Sequence, residues 1–179
     1  EKSFAHIHGV FEKKIGKEST DDITEQIFSL KMDAKLATNP FLVHNHLNNQ
    51  MDIAVQDEKN VLYLISNKGE VLWKKLLDSR ILGEIKQVDL YKNGRLQLAF
   101  STQNSIEVID RNGNSVQPFP QEFNDEITQP LAIFDYDNKR NYRFLIAQNN
   151  EILMYNSKAK MVRGFNFRKG QDEILQSPK

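Results

Sequence analysis

From residue 41 onward, short apolar runs alternate with short polar turns. Phe41 to His46, Met51 to Gln56, Val61 to Ser66 and Glu70 to Leu76 are rich in β-branched and aromatic residues. Leu47 to Gln50, Asp57-Glu58-Lys59-Asn60 and Asn67-Lys68-Gly69 separate them. Runs of about 5–6 residues bounded by Asn, Asp and Gly predict an antiparallel meander. The pattern recurs as Gln87 to Leu90, Leu96 to Ser101 and Ile106 to Asp110, with turns at Tyr91 to Arg95, Thr102 to Asn104 and Arg111-Asn112-Gly113. It recurs again as Leu131 to Phe134, Tyr142 to Ala147, Ile152 to Tyr155 and Met161 to Phe165. Asn112-Gly113 between two strands predicts a two-residue hairpin turn.

Laid against itself, the chain matches at an offset of 45 residues. Glu25 meets Glu70, Ile27 meets Leu72, Phe28 meets Trp73 and Asp33 meets Asp78. Val43 meets Val88, Asn48 meets Asn93 and Ala54 meets Ala99. The joins echo each other too, Asp125-Glu126-Ile127-Thr128-Gln129-Pro130 returning as Asp172-Glu173-Ile174-Leu175-Gln176-Ser177-Pro178. Four strands in a unit of this length are the blade of a β-propeller.

The expected fold is therefore all-β, a partial β-propeller of about three four-stranded antiparallel blades. The units fall at 40–84, 85–129 and 130–177 within a repeat array over 20–179, with a partial unit at about 20–39. Residues 1–20 lie outside the repeat and read as a leading strand, Phe4 to Phe11. A closed ring of seven or eight blades needs roughly 300–360 residues, so the array reads as part of a larger propeller. The opening Glu1-Lys2-Ser3-Phe4, without an initiator Met or apolar leader, fits a segment of a longer chain. Uncovered terminal units predict self-association around 1–35 and 150–179, or contact with neighbouring blades of a parent chain.

Charge removes some partners. Lys and Arg number 24, as do Asp and Glu. A nucleic-acid binder needs surplus cations to displace counterions from phosphate, and docking on anionic lipid needs the same. No nucleic-acid partner is expected, and no apolar run is long enough to span a bilayer in this segment. The absence of cysteine excludes disulfides, thiolate nucleophiles and cysteine-ligated zinc.

The run Leu62-Tyr63-Leu64-Ile65-Ser66-Asn67-Lys68-Gly69-Glu70-Val71-Leu72-Trp73 resembles the repeat of PQQ-like (quinoprotein-type) propellers. There a Leu-Tyr-Leu strand meets a Gly turn and then a strand carrying Trp. Asn112-Gly113 keeps the turn in the second unit, with Gln117 in place of Trp; Lys158-Ala159 in the third has neither Gly nor a following Trp. The chain also resembles large uncharacterised Bacteroidetes envelope proteins. The resemblance implies structural roles for Gly69 and Gly113 in the turns, and for Trp73 and Phe28 as rings buried between adjacent blades. Some family members are quinone- and calcium-dependent dehydrogenases; others, such as the propeller lipoprotein of the bacterial outer-membrane assembly machine, only bind proteins. The dehydrogenases need stacking aromatics and a catalytic Asp at the funnel, with a cysteine pair in many, and this chain has one Trp and no Cys.

Individual clusters do not change that picture. His6/His8 and His44/His46 each place two imidazoles on one side of a strand, but no third ligand is fixed by spacing. His44 aligns with Asp89 and Phe134, and His46 with Tyr91 and Tyr136, so the second position simply takes a flat ring. Asp110-Arg111-Asn112-Gly113-Asn114 alternates oxygen donors like a calcium loop, yet its Gly is fourth and no Glu closes it. Asp135, Asp137 and Asn138 are the better oxygen cluster and the one weak metal candidate. A two-metal nuclease needs three or four converging carboxylates, and a hydrolase a nucleophile beside an oriented His; neither is visible. No catalytic residue and no cofactor is assigned. The function expected is a non-catalytic protein-interaction or scaffold module of a larger protein of the cell envelope, with a periplasmic or extracellular location. The alternative is part of a quinone- or calcium-dependent propeller enzyme whose active site lies outside this chain.

Overall fold

The computed structural model describes residues 5–12, 24–149, 151–165 and 167–168. Fourteen strands and no helix occur among them. β1 (His6–Glu12) and β2 (Thr24–Lys31) pair antiparallel as a two-stranded sheet. Then come three four-stranded meanders in simple chain order. The first holds β3 (Phe41–Asn45), β4 (Gln50–Gln56), β5 (Val61–Ile65) and β6 (Val71–Leu76). The second holds β7 (Leu82–Val88), β8 (Gln97–Ser101), β9 (Ser105–Ile109) and β10 (Gln121–Glu122). The third holds β11 (Ala132–Phe134), β12 (Arg143–Gln148), β13 (Glu151–Asn156) and β14 (Phe167–Arg168).

The sheets stack face to face because their inner strands are apolar on both sides. In β5, Leu62 and Leu64 enter the core shared with the second sheet, while Tyr63 and Ile65 enter the core shared with β1 and β2. In the second sheet, Leu98 and Phe100 point back to the first, and Ala99, Ile106 and Val108 point on to Phe144 and Ile146 of the third. Period-two alternation thus serves two interfaces at once, which only a central layer needs. The sequence-based expectation of an all-β blade stack holds.

The fourth strands differ from expectation in two sheets. Met161 makes a single bridge to Tyr155, and Phe167–Arg168 forms the outer strand in place of 161–165. Gly164, at φ 81°, turns the chain between them. In the second sheet Ser115 bridges Ile109, and Gln121–Glu122 then pairs with Ile106 and Ser105. Pro118 and Pro120 lie between, where neither can donate a ladder hydrogen bond.

The Asn112-Gly113 turn also differs. Asp110 N donates to Asn114 O (2.8 Å) and Gly113 N to Asp110 O (3.1 Å), closing a three-residue loop with Gly113 left-handed at φ 86°. A type I turn followed by a left-handed residue supplies the twist that two residues were expected to supply. Ser66–Glu70 and Asn156–Lys160 close the same way. In each, the first side chain accepts the amides two and four residues on: Ser66 Oγ at 3.2 and 3.1 Å, Asp110 Oδ1 at 2.8 and 2.9 Å, Asn156 Oδ1 at 2.9 and 3.1 Å.

The left-handed position is Gly69 in the first sheet and Gly113 in the second, but Ala159 (φ 52°) in the third. A ring explains the difference. A Cβ on Gly69 would lie 2.6 Å from Phe28 Cγ, and one on Gly113 3.1 Å from Trp73 Cδ2. Each aromatic reaches from the outer strand of the preceding sheet onto the turn glycine of the next. Where the second sheet carries Gln117, the third can carry Ala159. Gly69→Ala is expected to cost about 2–4 kcal/mol, from left-handed strain plus overpacking. Gly94→Ala, with nothing within 4 Å of its added methyl, should cost about 1–2 kcal/mol from strain alone. Urea melts of the two variants measure the difference.

Candidate functional site

Neighbouring sheets are tied by polar contacts that set the geometry of one end of the stack. The Gln87 carboxamide on β7 accepts from His44 N (2.7 Å) and donates to His44 O (2.9 Å), standing in for a missing strand partner on β3. His46 Nδ1 accepts from Leu96 N (3.2 Å), which leaves the imidazole proton on Nε2. Burial holds its pKa below the usual value. Between the second and third sheets, Asp89 N donates to Tyr142 Oη (3.1 Å), Arg140 pairs with Asp89 (2.8 Å) and Lys92 Nζ donates to Asn141 (2.7 Å).

These contacts join the β3–β4, β7–β8 and β11–β12 loops, at 46–49, 89–96 and 135–142, into one row. The β5–β6, β9–β10 and β13–β14 turns share that end, because a meander returns there after every second strand. Two contacts anchor them: Trp73 Nε1 donates to Arg111 O (2.7 Å), and Arg111 pairs with Asp52 (2.5 Å). Trp73 and Phe28 are partly buried rings, Trp73 packed against the core between the first and second sheets and Phe28 against the core between β1–β2 and the first sheet.

The row of loops exposes three large apolar or aromatic side chains, one per sheet: Leu47 (74% exposed), Tyr91 (59%) and Tyr136 (72%). Tyr136 is held by parallel stacking on Phe134, centroids 5.5 Å apart. Sequence alignment put His46, Tyr91 and Tyr136 at one repeat position. His46 instead turns into the joint between sheets, and its neighbour Leu47 takes the exposed place. The far face of the third sheet, where exposed apolar area was expected, has Ala132, Leu145 and Met154 buried.

The oxygen cluster of the third loop is engaged with its own backbone. Asp135 accepts from Arg140 N (2.9 Å) and Asn141 N (3.2 Å). Asp137 accepts from Asn141 Nδ2 (2.8 Å) and Lys139 N (3.1 Å), which hold its carboxyl below the usual range. Asn138 adopts left-handed φ, 52°, and its N donates to Asp135 O (3.4 Å). Among the described residues no three His, Cys, Asp or Glu side chains gather closely enough to hold a metal ion. The side chains of His6 and His8 lie outside the described residues.

At the opposite end, Asp78, Glu107 and Glu122 line a cavity of about 380 Å³ with Asn104, Ser105 and Phe123. Glu107 is 7% exposed, accepts from Ser105 Oγ (3.0 Å), and has its pKa raised chiefly by burial. The folded chain therefore holds this proton where the unfolded chain, ionising near 4.5, has released it. The contribution of Glu107 to stability therefore falls as pH rises from 4.5 through the raised value. Glu107→Gln is expected to raise the melting temperature at pH 7 and to leave a smaller loss of stability between pH 4.5 and 7 than wild type. Thermal melts across that range test it. No nucleophile–base pair lines this cavity, and no sequence signal brought its three acids together.

No protein-family model matches the chain, and no curated protein matches its sequence. Solved structures do match. BBS1N in complex with ARL6DN, from a lead-soaked crystal, aligns with 80% of this chain at TM-score 0.54 and 11% identity. A mercury-soaked crystal of the same complex aligns with 83% of it at TM-score 0.53 and 15% identity. The fold is that of a β-propeller. The chain spans about half the length of BBS1N, 46% and 49% in the two alignments.

Proposed function

We propose that this chain is a non-catalytic protein-interaction module, a set of blades from a larger PQQ-like repeat propeller of the cell envelope or periplasm. The carrying observation is the row of linked loops that exposes Leu47, Tyr91 and Tyr136 on three consecutive sheets. Exposed aromatics on a rigid scaffold favour protein binding, since they give contact area at little entropic cost. BBS1N, a propeller of the same fold, is described in complex with a protein, ARL6DN. The Leu62 to Trp73 run supports the PQQ-like assignment, and the likeness to Bacteroidetes envelope proteins supports the compartment.

The test is affinity purification of the tagged chain from envelope and soluble fractions, with calorimetry against calcium and a quinone cofactor. A stoichiometric protein partner in the envelope fraction and flat calorimetry are expected. Micromolar binding of both calcium and quinone would overturn the scaffold reading in favour of a cofactor-dependent enzyme.

A further inference from the structure

The two ends of the blade stack differ in charge although the whole chain is neutral. The six loops at the tyrosine end, at 46–49, 66–70, 89–96, 110–114, 135–142 and 156–160, carry eight Lys and Arg against five Asp and Glu. Four of those acids are spent on loop geometry: Asp89, Asp110, Asp135 and Asp137 each accept hydrogen bonds from amides of their own loop. The cations face outward, and all but Arg111 are exposed. At the other end, the turns and links at 57–60, 77–81, 102–104 and 123–131 carry five acids against two bases. The acid-lined cavity adds Glu107 and Glu122 there.

We infer that the tyrosine end binds an acidic segment of a partner protein that also carries apolar side chains. The proposal rests on the protein-binding reading above and adds the site and the chemistry of what it takes. Leu47, Tyr91 and Tyr136 offer apolar contact at spaced points along the row. Arg95 and Lys139 share loops with Tyr91 and Tyr136, and Lys158 lies on the turn after β13 at the same end; all three are exposed and have no side-chain partner among the described residues. Apolar anchors that share their loops with unpaired cations complement carboxylates alternating with Leu or Phe. A bare polyanion would meet only the cations and leave the rings exposed. A second copy could offer its acidic end, where Glu58, Asp125 and Glu126 are exposed, and sedimentation separates that occupant from a partner protein.

The experiment uses a fluorescein-labelled peptide of Glu, Asp, Leu and Phe, with polyglutamate, a Lys-for-acid version of the peptide and a DNA duplex as comparisons. Binding is read by anisotropy over a range of salt. Two double variants are used, Tyr91→Ala with Tyr136→Ala, and Arg95→Glu with Lys139→Glu; all four side chains are exposed, so both should keep the wild-type melt. Micromolar binding of the acidic apolar peptide is expected, weakened about tenfold or more by either variant and weakened by salt. Absent binding, or binding that neither variant changes, overturns the proposal. So does polyglutamate or DNA binding as tightly as the peptide. Concentration-dependent association in sedimentation that either variant abolishes would make a second copy the occupant and overturn it as well. If affinity purification yields a partner while the peptide fails, only the assignment of this end is wrong; if both fail, the protein-binding reading falls too.

Discussion

Arg111→Ala is expected to cost about 3–5 kcal/mol of folding stability, more than any other single truncation at the loop end. Asp52 on β4 has a side chain only 1% exposed, and its Oδ2 lies 2.5 Å from the Arg111 guanidinium of the next sheet. Its Oδ1 is buried with no hydrogen-bond partner. Removing Arg111 therefore strands a carboxylate in the joint between two sheets, and an uncompensated buried charge costs far more than the pair contributes. The companion variant shows the mechanism. Asp52→Asn together with Arg111→Ala should recover most of the loss, because the stranded charge is gone. A double variant as unstable as Arg111→Ala alone would locate the effect in lost packing of the arginine stem.

Trp73→Ala is expected to cost about 3 kcal/mol, toward the low end for a buried aromatic because the ring is only half-buried. The indole contributes twice: its face covers Gly113, and its N–H donates to Arg111 O at 2.7 Å. Trp73→Phe keeps the first contribution and loses the second, so it should cost about 1 kcal/mol. An equilibrium melt showing under about 1 kcal/mol for the alanine variant would mean that this contact does not hold the two sheets together.

The strand layout was legible because it is written locally. Alternation in β4, β5, β8 and β9, and turn residues such as Gly69 and Gly113, determine strands and loops within a few residues of themselves. The offset of 45 residues made the sheets recognisable as copies. Two outer strands were not legible, because β10 and β14 are two-residue pairings placed by Pro118, Pro120 and Gly164 rather than by alternation. At Asp110–Asn114 the place of the turn was legible but its type was not, because Asn-Gly also specifies the two-residue turn, and strand twist decides between them.

The functional surface was less legible. Aligning His46 with Tyr91 and Tyr136 found the repeat position, yet the same position turns inward in one sheet and outward in two. Whether a ring projects depends on a neighbour about fifty residues away, as Leu96 N does for His46. Asp52 and Arg111 are 59 residues apart, and nothing in either local sequence signals the pair. The cavity acids Asp78, Glu107 and Glu122 come from a link and two strands, so only the stacked sheets bring them together. The charge difference between the ends was hidden inside a neutral total. It emerges only once alternate loops are sorted to opposite ends.

Site-specific photo-crosslinking in cells tests the central claim most directly. A crosslinking amino acid is placed singly at Tyr91, at Tyr136, at Leu76 on the outer edge of the first sheet, and at Glu126 on the acidic end. One discrete protein adduct of the same mass is expected from Tyr91 and Tyr136, with none from Leu76 or Glu126. Adducts from Leu76 or Glu126 alone, with the two tyrosine positions silent, would contradict the claim.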